Sequence, residues 1–175
     1  MEKNKCILLD RDGVINVDKP ESVTDKKDFI LIESSLEAIN LLHRANFKII
    51  VITNQACVGR GELELEVLEE IHGILQERVN YKIDDFFICS HTDEDNCNCR
   101  KPKPGLILKA KEKWNFEMQE TFLVGDAKRD IEAAFSAGCK PIIVQTGKIS
   151  NDIENFSGIP IYKNLLDFTY DLVKK

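Results

Sequence analysis

Asp10 and Asp12 stand two positions apart, directly after the apolar run Cys6–Leu9, and Gly13 follows them. Residues two apart in extended chain share a side, so these carboxylates repel each other unless a cation lies between them. Such an oxygen-rich pair suits Mg²⁺, which usually keeps several waters. Asp126, after another apolar run, adds a third carboxylate. Gly13 lets the chain turn away sharply and leaves backbone N–H groups to face an anion. The chemistry that fits is phosphoryl transfer through an aspartyl-phosphate. One carboxylate attacks phosphorus, splitting hydrolysis into two easier steps, and the second protonates the leaving oxygen and then activates water. Thr53 offers a hydroxyl and Lys101 a positive charge to the phosphoryl oxygens. Asp130, four residues after Asp126, is placed to hold Lys101. Singly, each of these has a plainer reading: a solvated Asp-x-Asp turn, a Gly-Asp helix cap, a structural Thr, a solvated Lys. Their ordered placement at strand ends favours chemistry.

A second constellation is Cys89-x-His91, a five-residue gap, then Cys97-x-Cys99. Three thiolates and an imidazole make a tetrahedral site of the structural zinc type, with no open position for catalysis. Cys99 is followed by Arg100 and Lys101, so a metal that fixes this loop also fixes the lysine. The competing reading is two disulfides or free thiols. A reducing compartment disfavours disulfides, and only three of the four positions are Cys. Cys6, Cys57 and Cys139 read as buried or incidental thiols, with Cys57 expected to be partly exposed. His43 and His72 fall on predicted helices and are expected at the surface or the core edge, without a ligand role.

These groups need a scaffold, and the hydrophobic pattern supplies one. Strands are predicted at Cys6–Leu9, Phe47–Ile52, Phe86–Cys89, Thr121–Val124 and Pro141–Val144. Helical periodicity lies between them. The first helix is expected to start at an N-capping Ser34 or Ser35, with Leu36, Ile39 and Leu42 on one face. The second runs from about Glu62 to Asn80 on a stripe of Leu68, Ile71, Leu75 and Val79. The third starts at Pro104-Gly105. The fourth follows Asp130, shows Ile131, Ala134 and Phe135, and ends at Gly138. The last covers Leu165 to Val173. This alternation predicts an α/β Rossmann-like three-layer sandwich with a mainly parallel sheet and no large cap domain. Ligands in such sheets bind at the carboxyl ends of the strands, which here read Asp10-Arg11-Asp12-Gly13, Thr53-Asn54-Gln55, Cys89-Ser90-His91 and Gly125-Asp126.

Composition narrows the function classes. The 175 residues suggest one domain, 1–175. With 24 basic and 30 acidic residues and a net charge of −6, the chain does not look like a nucleic-acid binder. No run approaches the roughly 18 apolar residues of a membrane span, and the charged N-terminus does not resemble a signal peptide. The expectation is a cytoplasmic monomer acting on a small phosphorylated ligand.

Asp10-Arg11-Asp12-Gly13-Val14-Ile15-Asn16, Thr53-Asn54-Gln55, Cys99-Arg100-Lys101-Pro102 and Gly125-Asp126-x-x-x-Asp130 resemble the motifs of haloacid-dehalogenase-like (HAD-like) phosphatases. The resemblance covers about residues 6 to 148. It is nearest to the phosphatases of D-glycero-D-manno-heptose 1,7-bisphosphate, which remove the C7 phosphate in lipopolysaccharide precursor synthesis, with a histidinol-phosphate phosphatase or a broader small-metabolite phosphatase as the alternative. It implies Asp10 as nucleophile, Asp12 as general acid/base, and Thr53 and Lys101 as phosphoryl stabilisers. It also implies Mg²⁺ at Asp10, the Asp12 carbonyl and Asp126. The Gly59-Arg60-Gly61 ending favours the heptose group. Arg60 and Arg100 can hold sugar hydroxyls or a second phosphate, and Asp18, Asn54 and Gln55 complete the substrate-binding candidates. The stretch Lys19–Val23 lacks the aromatic residue usual in the family, and Ala127 stands where relatives can carry a lysine. Two non-enzymatic readings compete: a phosphoacceptor signalling domain, which Asp12 argues against, and a zinc-stapled interaction module.

Overall fold

The computed structural model describes residues 5–147 and 157–174. Lys148, at the end of the family resemblance, and both ends of the expected 1–175 domain lie outside them. In chain order the elements are β1 (Cys6–Leu9), α1 (Glu33–Arg44), β2 (Lys48–Asn54), α2 (Ala56–Gly59), α3 (Leu65–Arg78), β3 (Asp85–Cys89), α4 (Gly105–Trp114), β4 (Phe122–Gly125), α5 (Lys128–Ala137), β5 (Lys140–Val144), β6 (Ile161–Tyr162) and α6 (Leu165–Val173). The strands form one sheet in the order β3-β2-β1-β4-β5-β6, and every adjacent pair is parallel.

Alternation along the strands explains the layers. Ile7, Leu9, Ile49, Val51, Val124, Ile142 and Val144 belong to one buried cluster with Leu36, Ile39 and Leu42 of α1, Ile71 and Leu75 of α3, and Leu165 and Phe168 of α6. Their neighbours Cys6, Leu8, Ile50, Ile52 and Leu123 belong to a second cluster with Leu106, Ile107 and Ala110 of α4 and Ala133 and Ala134 of α5. A sheet covered on both faces needs apolar residues at every position, which is why the strands read as continuous apolar runs. Each fully buried Leu or Ile contributes roughly 1.5–3 kcal/mol.

Local details differ from the expectations at several points. Helix α1 is preceded by Ile32 at its N-cap, with no side-chain cap. Ser35 lies inside the helix, buried, and its hydroxyl donates to the Val14 carbonyl at 2.6 Å, so it ties the helix to the loop after β1. Helix α5 begins at Lys128, ahead of Asp130, and Phe135 is 56 % exposed rather than core. Strand β6, two residues long, and the four-residue α2 were not anticipated. Helix α6 has the expected bounds, and Gly138 ends α5 at φ +80°.

Candidate active site

The strand order reverses between β1 and β4, the crevice where open α/β sheets bind ligands. Asp10 follows β1, Asp126 follows β4, and Thr53 and Asn54 are the last residues of β2. Lys101 arrives from the other side. Its Nζ lies 2.9 Å from Asp10 Oδ1 and 2.7 Å from Asp130 Oδ1, and donates to the Ile52 carbonyl at 2.9 Å. Asn54 holds the lysine's backbone, donating to the Lys101 carbonyl and accepting from the Lys101 N–H, each at 3.0 Å. Asp130 is fixed by the start of α5. Its Oδ2 accepts from the Ala127 N–H at 3.1 Å and the Asp126 N–H at 3.3 Å, pairing donors that a helix N-terminus otherwise leaves open.

Carboxylate oxygens of Asp10, Asp126 and Asp130 lie within 4.8 Å of one another, all buried. Three buried carboxylates therefore face one buried ammonium. The Asp10 pKa rises to about 7: burial is the main cause, and Asp130 and Asp126 add to it against the lowering by Lys101 and by the nearby Arg129 guanidinium. Lys101 itself is held above its usual range, because the charges of Asp10 and Asp130 outweigh its burial. The space around Asp126 is closed to any side chain: a Cβ on Gly13 would come within 2.3 Å of its Oδ2, and one on Gly147 within 2.0 Å. Thr146 Oγ1 donates to the Gly13 carbonyl at 2.7 Å and locks these two loops together. A hard divalent cation fits this oxygen donor set and its excess negative charge.

Asp12 is turned to a different set of partners. Arg11 Nη2 donates to both its oxygens, at 2.8 and 3.0 Å. Asn16 Nδ2 donates to Oδ1 at 2.9 Å and Gln55 Nε2 to Oδ2 at 2.8 Å. Burial pushes the Asp12 pKa up, but the Arg11 charge and these hydrogen bonds outweigh it and hold it below the usual range. Asp12 is thus ionised, the state of a base. Gln55 Nε2 also donates to Thr53 Oγ1 at 2.8 Å, which leaves the Thr53 hydroxyl proton for another acceptor.

His72, expected at the surface or core edge, is buried. It stacks on Phe86 with ring centroids 4.5 Å apart, and its Nε2 lies 3.2 Å from Arg11 Nη1. Burial, then the Arg11 charge, pushes its pKa down to about 3. A base depressed in the folded state stabilises fully above its unfolded pKa of about 6.5 and loses that stability as pH falls through it. Urea unfolding at pH 7 and pH 5 is expected to show an acid loss of about 2 kcal/mol from this group. That contribution should vanish in His72→Phe.

The four metal-type ligands, Cys89 at the end of β3 and three from the loop that follows, also converge. Cys89 Sγ is 3.7 Å from Cys97 Sγ and 3.2 Å from Cys99 Sγ, and Cys97 and Cys99 are 3.5 Å apart. His91 Nδ1 lies 3.7 Å from Cys89 Sγ and 3.2 Å from Cys99 Sγ. Tetrahedral zinc with bonds of about 2.3 Å sets its sulfurs roughly 3.8 Å apart, close to these spacings. No disulfide joins any of the six cysteines, which leaves a metal cluster or free thiols. Cys57 is buried, not partly exposed.

Known proteins resemble this chain in sequence and in fold. A HAD-hydrolase-like family model matches residues 98–167. The D-glycero-beta-D-manno-heptose-1,7-bisphosphate 7-phosphatase of Neisseria meningitidis is 37 % identical over 179 residues, spanning 98 % of this chain and 96 % of that one. The chain belongs to the HAD-like phosphatases. The enzyme of the same name from Pseudomonas aeruginosa is 39 % identical over 145 residues, 81 % of this chain and 82 % of that one. The crystal structure of D,D-heptose 1,7-bisphosphate phosphatase from B. bronchiseptica, complexed with magnesium and phosphate, superposes with a TM-score of 0.90 at 32 % identity, covering 97 % of this chain and 98 % of that one.

In this HAD-like phosphatase the cleft above the carboxylates measures about 450 Å³ and is lined by Asp12, Asp18, Lys19, Asn54, Gln55, Arg60, Arg100, Asp126, Lys128 and Arg129, among others. The expected substrate-binding residues divide in two. Asn54 and Gln55 line the cleft, but their amides are committed to Lys101, Asp12, Thr53 and Arg11. Arg60 and Arg100 form exposed pairs, with Glu62 at 2.7 Å and Asp93 at 2.6 Å. Such exposed pairs are weak, so an arriving phosphate can exchange for the carboxylate. Asp18 lies at the mouth beside Lys19 and Pro20. Arg11, to which residue type and spacing assign no role, is fully buried at the centre of the Asp12 cluster.

Proposed function

We propose that the protein is a Mg²⁺-dependent phosphatase that removes the C7 phosphate of D-glycero-D-manno-heptose 1,7-bisphosphate through an aspartyl-phosphate on Asp10. The observation that carries this reading is the buried Lys101 ammonium between Asp10 and Asp130, with Asp126 beside them. It occurs in a chain that aligns along 98 % of its length with a phosphatase of that name. Asp10, Asp126 and the Asp12 carbonyl are the proposed Mg²⁺ ligands. When bound, the cation neutralises the carboxylate crowding and draws charge from the phosphoryl oxygens.

Asp10 attacks phosphorus while Lys101 and the Thr53 hydroxyl stabilise the charge on the transferring group. Asp12 gives a proton to the departing sugar oxygen, then takes one from the water that opens the aspartyl-phosphate. Since Asp12 is held ionised before substrate arrives, its proton must be acquired when the phosphate binds. Asp130 keeps Lys101 in place, and Asn54 keeps the segment that carries it. Arg60 and Arg100, with Lys19, Lys128 and Arg129 along the cleft, offer cationic contacts to the sugar and its second phosphate.

The zinc cluster is proposed as a structural staple, and the protein as a cytoplasmic monomer. Among the described residues no helix is long and apolar enough to cross a membrane. A panel of phosphorylated metabolites with Mg²⁺ tests the substrate. The heptose 1,7-bisphosphate should show a kcat/KM at least about 100-fold above histidinol phosphate, a difference of about 2.7 kcal/mol in transition-state binding. The reverse order would move the assignment to the histidinol group.

A further inference from the structure

Arg11 lies between the two catalytic carboxylates in sequence, yet its side chain is withdrawn completely from solvent. Burying a guanidinium is expensive, and a buried ion pair is often no more stabilising than apolar residues of the same volume. Fold stability alone is therefore a poor reason for an arginine here. The contacts point to another role. Arg11 Nη2 spans both oxygens of Asp12 and reaches Gln55 Oε1 at 3.1 Å. The Phe29 ring covers the guanidinium at 5.5 Å. On the far side Nη1 meets His72 Nε2 at 3.2 Å. A guanidinium only donates, so His72 must be neutral, with Nε2 accepting and its proton on Nδ1. The ring is held in that pose by its stack on Phe86, at an interplanar angle of 16°.

We propose that Arg11 and His72 are positioning residues: His72, fixed on α3, aims the Arg11 guanidinium, and Arg11 fixes the rotamer of Asp12 that faces the cleft. This rests on the reading of Asp12 as the acid and base. Asp12 is the one member of the chain from α3 that reaches the cleft, its side chain 18 % exposed against 0 % for Arg11. Without the guanidinium, only the amides of Asn16 and Gln55 hold it. Its rotamer is then underdetermined, and opening of the aspartyl-phosphate by water slows.

An aryl phosphate with a nitrophenol leaving group isolates that step, because nitrophenolate leaves without needing a proton. Mg²⁺-loaded wild type, His72→Phe, His72→Gln, Arg11→Met and Asp12→Asn are compared by nitrophenol burst, steady-state kcat and KM, and acid-quenched intact-protein mass. His72→Phe keeps a stacking ring but loses the acceptor, and it should lose about 10–100-fold in kcat with KM within about 2-fold, within the range of general acid–base effects. Phosphoenzyme should accumulate toward the level of Asp12→Asn. Arg11→Met should do the same, and His72→Gln, which restores an acceptor, should recover most of the rate. If Arg11→Met fails to fold, the two His72 variants still decide. Wild-type kcat in His72→Phe, or a slower rate without accumulated phosphoenzyme while Asp12→Asn accumulates it, would overturn the positioning role and leave the reading of Asp12 standing. No accumulation in Asp12→Asn would remove both.

Discussion

Asp10→Asn is expected to lower kcat by roughly 10⁴–10⁶-fold, the scale on which removing a nucleophile acts, without loss of the fold. The side chain keeps its shape but can no longer carry a phosphoryl group as an acyl phosphate. Stability is expected to move the other way. Asp10 is raised to about 7 by burial and by Asp130 and Asp126, against Lys101 and Arg129. A carboxyl raised in the folded state contributes stability that is present at low pH and lost as pH rises through about 7. Above that pH, without Mg²⁺, the variant should therefore melt no lower than wild type. Added Mg²⁺ should stabilise wild type more than the variant, since only wild type keeps the full carboxylate set. Activity assays and thermal melts at pH 8, with and without Mg²⁺, check both halves. Near-normal hydrolysis by the variant would remove Asp10 from the mechanism.

Stripping zinc is expected to have the next largest effect. Besides the Asn54 clamp on the Lys101 backbone, the side-chain ties between Cys89 and Lys103 lie at the surface: Arg100 pairs with Asp93, Lys103 Nζ donates to the Asn96 side chain and the Cys97 carbonyl, and Thr92 is tied to Asp95. These contacts are exposed and individually weak. Structural zinc in small fingers binds with an apparent 10–16 kcal/mol at neutral pH, so even part of that outweighs them. Lys101 follows Cys99 by two residues, and its ammonium must stay within 3 Å of Asp10 and Asp130. Chelated protein, or Cys99→Ser, should lose at least about 10 °C in Tm, because each kcal/mol moves Tm by roughly 2–4 °C in a chain of this length. Its kcat should fall at least about 100-fold, and zinc, not Mg²⁺, should restore chelated wild type. Zinc-free protein with full activity would separate the cluster from the lysine.

Much of the fold was legible because both faces of the sheet are buried. Each of β1 to β5 is an apolar run whose bounds in sequence and structure agree within two residues. Strand β6 was missed because Ile161–Tyr162 is too short to carry a pattern. The cap of α1 was misread because Ser35 spends its hydroxyl on Val14 rather than on its own helix. The carboxylates, Lys101 and the Cys/His cluster, which the structure brings together, stand out in sequence by residue type and spacing. The Arg11–His72 pair was not, since nothing local links residues 61 apart. One signal was present. His72 sits four after Leu68 and three before Leu75, on the inward stripe of α3, where an imidazole needs a polar partner. Asn54 and Gln55 show the converse: their place at the cleft suggested substrate contact, while their bonds go to the catalytic groups themselves.

The central claim is that Asp10 carries the phosphoryl group, and rapid acid quench of the Mg²⁺ enzyme turning over heptose 1,7-bisphosphate, followed by peptide mapping, addresses it directly. The expected result is an acid-stable, hydroxylamine-labile phosphoryl group on Asp10 that forms and decays at rates consistent with kcat. Turnover with the phosphoryl group on another residue, or on none at any quench time, would contradict it.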